Sequence, residues 1–247
     1  MPFKLVAHRG YCDAYPENSL ESITAAIECG AHAVEFDVQL TADGVPVVCH
    51  DDDLKRTAML ERSILTSTYA EIKDVGVGEP QRFGDRFKEC RLPSLQQMVD
   101  ALAQLPAVTV FVEIKIESLQ HFDNDTVIQP ILAILQPIKQ RCVLISDDLD
   151  GLLRARQLSG LPIGWIVHRW SHKDHRQAEA AAPEYLVVNH KYLPDEPDPL
   201  WPGEWGWVVY QTGDADKARS LNRMGVEYVE TNTVCPMLQA LQGELDP

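Results

Sequence analysis

A chain of 247 residues, 45% apolar and 24% charged, carries enough apolar material for a large core, which excludes a disordered chain and suits a single barrel of alternating strands and helices. Its formal net charge of -15 repels polyanions at long range and argues against nucleic acid as a partner. No apolar run approaches the roughly 18 residues that a membrane span needs, so stable membrane insertion is not expected.

The first apolar run, Phe3 to Ala7, is too short for a secretory signal and leads straight into His8, which makes the cytoplasm the expected compartment. Six cysteines (Cys12, Cys29, Cys49, Cys90, Cys142 and Cys235) lie scattered without metal-finger spacing, and a chain of this size needs no disulfide staples. They are therefore expected to be reduced and mostly buried. After the first strand, Asn18 and Glu21 read as a capping box for a helix over residues 19–29, with Leu20, Ile23 and Ile27 at helical spacing. A strand over Ala33 to Leu40 follows, then a short hairpin partner over Pro46 to Cys49.

The stretch from Asp52 to Arg91 is polar, contains Gly76, Gly78, Pro80 and Gly84, and lacks a long periodic run. It reads as an excursion with one or two short helices, including Tyr69 to Lys73. Beyond it the alternation resumes: strand 109–115, helix 127–135, strand 142–145, helix 149–158 and strand 163–167. Further strands are expected over 185–188, 207–210 and 227–230, with helices around Ala178 and over 217–224 and 236–241. Setting the hairpin partner aside, about eight strands of parallel type remain, which is the number that closes a barrel. The predicted fold is an α/β barrel of the TIM (β/α)8 type, one domain over residues 1–247, with a small insertion after the second strand at about residues 44–91.

Residues two apart on a strand face the same way, roughly 7 Å apart. Glu35 and Asp37 therefore share one face while Val34, Phe36 and Val38 share the other, and Glu113 and Lys115 repeat the arrangement. Such groups also occur as ordinary surface pairs. Here His8, Glu35-Phe36-Asp37, His50-Asp51 and Glu113-Ile114-Lys115 all fall at the ends of apolar runs, where chance surface charges have no reason to gather. Three carboxylates at one barrel mouth would repel each other unless a divalent cation joined them, and an oxygen-only set suits Mg2+ or Ca2+ better than zinc. His8 and His50 then read as an acid and base pair, while Arg9 and Lys115 offer positive charge to a phosphate. His168, His172 and His175 form a weaker metal alternative, because no cysteine or carboxylate completes a ligand set beside them. Trp201, Trp205 and Trp207 read first as core packing and second as a surface for a choline-like cation.

His8-Arg9-Gly10, Pro16-Glu17-Asn18-Ser19, Glu35-Phe36-Asp37-Val38, Thr41-Ala42-Asp43-Gly44, His50-Asp51 and Arg56-Thr57 resemble the glycerophosphodiester phosphodiesterase family. The resemblance continues through Leu92-Pro93-Ser94-Leu95, Glu113-Ile114-Lys115, Ser146 and Gly225-Val226-Glu227. It implies a TIM-type barrel, a divalent metal held by Glu35, Asp37 and Glu113, His8 and His50 as acid and base, and Arg9 and Lys115 on the phosphate. The implied substrate is a small glycerophosphodiester, split to glycerol 3-phosphate and an alcohol through attack by the substrate's own 2-hydroxyl. Departures from the family pattern at Gln211, Gly213 and Asp147-Asp148 bear on the alcohol side of the pocket. Two other readings are a phospholipase D-like enzyme acting on lysolipids and a module that binds phosphodiesters without turnover. The first lacks a basic amphipathic surface for docking to lipid, and the second gives two histidines no task.

Overall fold

A computed structural model describes residues 3–194 and 199–245. Nine strands form one sheet: β1 (Lys4–Ala7), β2 (Ala33–Leu40), β3 (Pro46–Val48), β4 (Thr109–Ile114), β5 (Cys142–Ser146), β6 (Ile163–Val167), β7 (Tyr185–Asn189), β8 (Gly206–Tyr210) and β9 (Tyr228–Thr231). β1 pairs in parallel with both β2 and β9, and the other neighbours are parallel in sequence order apart from β3, so eight parallel strands close on themselves. β3 pairs antiparallel to β2 and hangs outside the ring. The predicted TIM-type barrel is thus the observed one, hairpin partner included.

Strand alternation divides the apolar residues between two cores. Val6, Ala33, Phe111, Val143, Ile145, Ile166, Val187, Val208 and Tyr228 fill the barrel interior. Their strand neighbours, such as Leu5, Val34, Phe36, Val112, Leu144 and Val229, face outward and pack under the helices. Both faces of each strand are buried, which explains why these strands read as continuous apolar runs. Fully burying one such side chain contributes about 1.5–3 kcal/mol, and dozens do so.

The excursion after β3 builds a third, separate cluster from Val47, Cys49, Leu54, Ile64, Ile72, Val77, Cys90 and Leu92. It contains three short helices, Lys55–Ala58, Tyr69–Ile72 and Pro80–Phe83, one more than expected. The helices Leu95–Gln104 and Ile116–His121 were also absent from the sequence reading. The first starts with a Ser94 and Gln97 capping box, a signal that was present in the chain.

Two expectations are overturned. The cap of the helix Leu20–Glu28 is Ser19, whose side chain accepts from the Ser22 amide, while Asn18 adopts a left-handed backbone (φ 58°) and sends its amide elsewhere. The cysteines are not all reduced: Cys29, capping the end of that helix, is bonded to Cys235 in the helix Val234–Ala240, with Cα atoms 5.7 Å apart. Residues 206 apart in sequence meet because barrel closure sets the first and last helices side by side. Cys12, Cys49, Cys90 and Cys142 are free and buried as expected.

The bridge ties the seam where the barrel closes, so Cys235→Ser is expected to lower unfolding stability by about 2–5 kcal/mol in a urea titration under non-reducing conditions. Thiol counting on the denatured, unreduced protein should give four thiols; six would show that the bridge does not form.

Candidate active site

β2 delivers its polar residues by alternation. Ala33 faces the barrel interior, and Glu35, Asp37 and Gln39 continue that face toward the C-terminal mouth while Val34, Phe36, Val38 and Leu40 join the outer core. On β4, Phe111 and Glu113 follow the same rule, and Glu113 lies directly beside Asp37 in the parallel register. Oxygens of Glu35, Asp37 and Glu113 all come within 4.8 Å of one another. The three predicted carboxylates therefore converge.

Their charges are only partly compensated. Arg9 Nε lies 3.1 Å from Asp37 Oδ2, without the alignment of a hydrogen bond, and Arg9 Nη1 donates to Glu17 Oε1 at 2.9 Å. Lys115, one residue beyond β4, donates to Glu113 Oε1 at 2.6 Å and lies 3.5 Å from Asp37 Oδ1. Asn18 accounts for its missed cap: its side-chain amide donates to Asp37 Oδ2 at 2.8 Å, and its oxygen accepts the Asp37 backbone N–H at 3.1 Å. Burial pushes the Asp37 carboxyl upward, but Arg9 and Lys115 outweigh it and hold Asp37 well below the usual range. Glu35 goes the other way, raised by burial and then by Asp37 and Glu230. Glu113 is raised to about 7, by burial first and Asp37 second.

Glu35 Oε1 and Asp37 Oδ1 are buried without a hydrogen-bond partner. A buried carboxylate oxygen left in this state costs several kcal/mol unless something binds it. An all-oxygen cluster with unpartnered lone pairs fits a hard divalent cation, so the residues present suit the metal that the sequence implies. Among the described residues no metal-capable group includes His172 or His175. His175 instead stacks on Trp201 with ring centroids 5.0 Å apart, within an aromatic cluster that also holds Trp170 and Trp207, and none of these rings lines the mouth.

The two imidazoles share a cleft of about 290 Å³ at the mouth, together with Arg9, Glu113 and Lys115. Each has a different partner. His8 Nδ1 lies 2.7 Å from Asn232 Oδ1, just beyond β9. Burial and then the Arg9 charge lower His8 to about 4, so it is neutral near pH 7 with its second nitrogen free of that bond. His50 Nδ1 lies 2.7 Å from Asp51 Oδ1, and Asp51 Oδ2 accepts from Arg56 Nε at 2.8 Å. The hydrogen bond from His50 holds the Asp51 carboxyl far below its ordinary value.

Glu17 ties the barrel to the insertion. Its carboxylate accepts from Arg9 and twice from Arg56, at 2.6 and 2.8 Å, and its backbone N–H donates to Glu79. Arg9 itself has a left-handed backbone (φ 54°), which turns its N–H onto Glu35 Oε2 at 2.9 Å. Gly10 must follow it, because a Cβ there would lie 2.5 Å from the Ser22 carbonyl carbon. Sequence reasoning assigned no site role to Asn18, Asn232 or Glu230. Glu230 is buried on β9, belongs with His8 and Glu35 to a second metal-capable group, and is raised to about 8 by burial and then by Glu113. Its signal was legible: Tyr228 and Glu230 alternate inward as Glu35 and Asp37 do.

Comparison with known proteins supplies the decisive observation: the glycerophosphoryl diester phosphodiesterase family matches residues 8–234. The chain belongs to that family. Among curated glycerophosphodiester phosphodiesterases, one from Caldanaerobacter subterraneus subsp. tengcongensis is 38% identical over 98 residues, 40% of each chain. One from Bacillus altitudinis is 32% identical over 112 residues, 45% of each chain. The chain thus spans less than half the length of these curated relatives. Among solved structures, an Oleispira antarctica phosphodiesterase in complex with the product sn-glycerol-3-phosphate superposes with a TM-score of 0.83 at 21% identity, over 98% of both chains. A glycerophosphodiester phosphodiesterase from Parabacteroides distasonis gives 0.80 at 24%, over 97% of both. These likenesses show the same barrel fold. For this glycerophosphoryl diester phosphodiesterase family member, the departures at Gln211 and Gly213 border a different depression, beside Asn232 and Thr233, whereas Asp147 lines the main cleft.

Proposed function

We propose that this chain hydrolyses small glycerophosphodiesters to glycerol 3-phosphate and an alcohol, with a divalent cation, Mg2+ or Ca2+, held by Glu35, Asp37 and Glu113. The observation that carries the reading is the meeting of three carboxylates, two of them buried, at the edge of a cleft that two differently partnered imidazoles share. When bound, the cation would relieve the carboxylate repulsion and draw charge from a phosphoryl oxygen.

The chain's own residues divide the proton transfers. Neutral His8, oriented by Asn232, takes the proton from the glycerol 2-hydroxyl as that oxygen attacks phosphorus. His50, oriented by its hydrogen bond with Asp51, gives a proton to the departing alcohol oxygen as its bond to phosphorus breaks. The attack is intramolecular, which removes the entropic cost of bringing in a nucleophile. In the second half His50, now neutral, takes a proton from water as the water oxygen attacks the cyclic phosphate. His8 returns its proton to the 2-oxygen as the ring opens, leaving glycerol 3-phosphate. Arg9 and Lys115, both lining the cleft, offset the extra negative charge on phosphorus, although each is also engaged with a carboxylate.

With Mg2+ or Ca2+ the purified protein is expected to release glycerol 3-phosphate from glycerophosphocholine in a coupled assay, and EDTA should stop it. Turnover that survives EDTA rejects the metal role. No helix among the described residues is long and apolar enough to cross a membrane. We place the protein with water-soluble diesters, and the Cys29–Cys235 bridge favours an oxidising compartment over the cytoplasm expected from the sequence.

A further inference from the structure

Strand order divides the cleft into two sides. From β1 the ring runs one way to β9 and β8, which bring Glu230 and Tyr210 to the mouth, and the other way through β2 and β4 to β5 and β6, which bring Asp147 and His168. His8 stands at the β1 end. His50 follows β3 on the other side and borders both the main cleft and the groove beside it, together with Glu117. Since His8 serves the attacking glycerol oxygen and His50 the leaving oxygen, the glycerol arm belongs toward β9 and β8, and the leaving arm toward β5 and β6.

We propose that the alcohol arm of the diester lies against Asp147 and His168, and that this pair selects an alcohol carrying a primary ammonium over one carrying a quaternary ammonium. The inference rests on the hydrolase reading above and extends it to the substrate class.

Asp147 is a fixed feature of the wall. Ser146 Oγ donates to the Ile114 carbonyl at 2.6 Å and accepts from the Asp148 N–H at 3.2 Å, and Asp148 caps the next helix through the Gly151 N–H at 2.6 Å. The Asp147 carbonyl accepts from Trp165 Nε1 at 3.3 Å. With the backbone locked on both sides, one Asp147 carboxylate oxygen, Oδ1, pairs with His168 Nε2. Among the described residues no hydrogen bond occupies Oδ2. The carboxyl side chain is 19% exposed, enough to meet a ligand and little enough to keep the contact from being screened away.

A primary ammonium brings three N–H donors, and a charge-assisted hydrogen bond to a partly buried carboxylate is among the stronger polar contacts. A trimethylammonium brings none, and its usual recognition is by the faces of several aromatic rings. Tyr210, at the end of β8, is the one Phe, Tyr or Trp ring among the described residues that line this cleft, and a single such face does not enclose a quaternary group. The floor beneath Asp147 and His168 is aliphatic, from Ile145, Ile166 and Val187. A quaternary group there would cover the carboxylate without hydrogen-bonding to it.

Glycerophosphoethanolamine and glycerophosphocholine share the glycerol arm and differ only in N-methylation, so their kcat/KM ratio reads the alcohol side alone. The wild-type protein with Mg2+ is expected to favour glycerophosphoethanolamine by roughly tenfold, the discrimination that one charge-assisted hydrogen bond provides. In Asp147→Ala the ratio should fall toward one. Calorimetric titration with phosphoethanolamine and phosphocholine should show the same preference in the wild type and its loss in the variant, without depending on turnover. A wild-type preference for the choline substrate, or an equal loss on both substrates that leaves the ratio intact, overturns the proposal. Hydrolysis of both diesters without discrimination sinks this inference alone. Tighter binding of phosphoethanolamine without release of glycerol 3-phosphate from any diester sinks the hydrolase reading and leaves the assignment of the pair standing.

Discussion

His8→Ala is expected to lower turnover of glycerophosphocholine by about two to four orders of magnitude, the usual weight of a positioned general base or acid. His8 carries this because its half-buried ring is held by Asn232 and neutral near pH 7, whereas an ordinary surface imidazole would be partly protonated. The same reasoning sets the pH dependence. Protonation disables a base, so the rate falls as pH drops through the His8 pKa; with that value lowered to about 4, the acid limb contributed by His8 should lie well below the ordinary histidine range near 6.5. A bound cation nearby moves it further in the same direction. His50→Ala should show a loss of similar size, and Asp51→Asn a smaller one, because Asp51 acts through its hydrogen bond to the His50 ring and not on the substrate. Stopped-assay kinetics over pH, with metal binding measured in parallel, check the assignment. A His8 variant that keeps near-normal turnover removes it from the mechanism.

Glu113→Gln should weaken Mg2+ binding by about tenfold or more, and binding in the unmodified protein should itself depend on pH. Ligands bind metal as anions, yet Glu113 is raised to about 7 and Glu35 is also raised, both chiefly by burial and by neighbouring carboxylates. Below those values the site holds protons that the cation must displace. Affinity should therefore rise between about pH 6 and pH 8, with protons released on binding. Titration calorimetry in two buffers of different ionisation enthalpy reads that release directly. Affinity that stays flat across the interval would mean that the raised carboxyls do not take part. Glu230, raised to about 8, enters the same count, so Glu230→Gln should reduce the protons released.

Much of the site could be read because barrel chemistry gathers at strand ends. His8, Glu35, Asp37 and Glu113 each lie where an apolar run stops, and the period-2 alternation of a strand already says that Glu35 and Asp37 look the same way. Asn18 was misread because a helix cap and a left-handed turn residue draw on the same small polar side chains. Only the distance to Asp37 distinguishes the two. Glu230 was legible by the same alternation, but a single inward carboxylate on a short strand carries less signal than the paired Glu35 and Asp37. The disulfide was unreadable for a related reason: with 206 residues between its ends, only ring closure makes Cys29 and Cys235 neighbours.

The chain by itself determined what is local: which segments are strands, how many there are, which faces are apolar, and which residues stand at their ends. Backbone sterics and the hydrophobic effect act over a few residues and leave a periodic imprint. Tertiary structure decided which charges compensate which, that His8 is neutral while His50 carries an acidic partner, and that Asp147 meets His168 over the cleft. Those properties depend on burial and on distances between groups far apart in sequence, quantities that exist only once the barrel has closed.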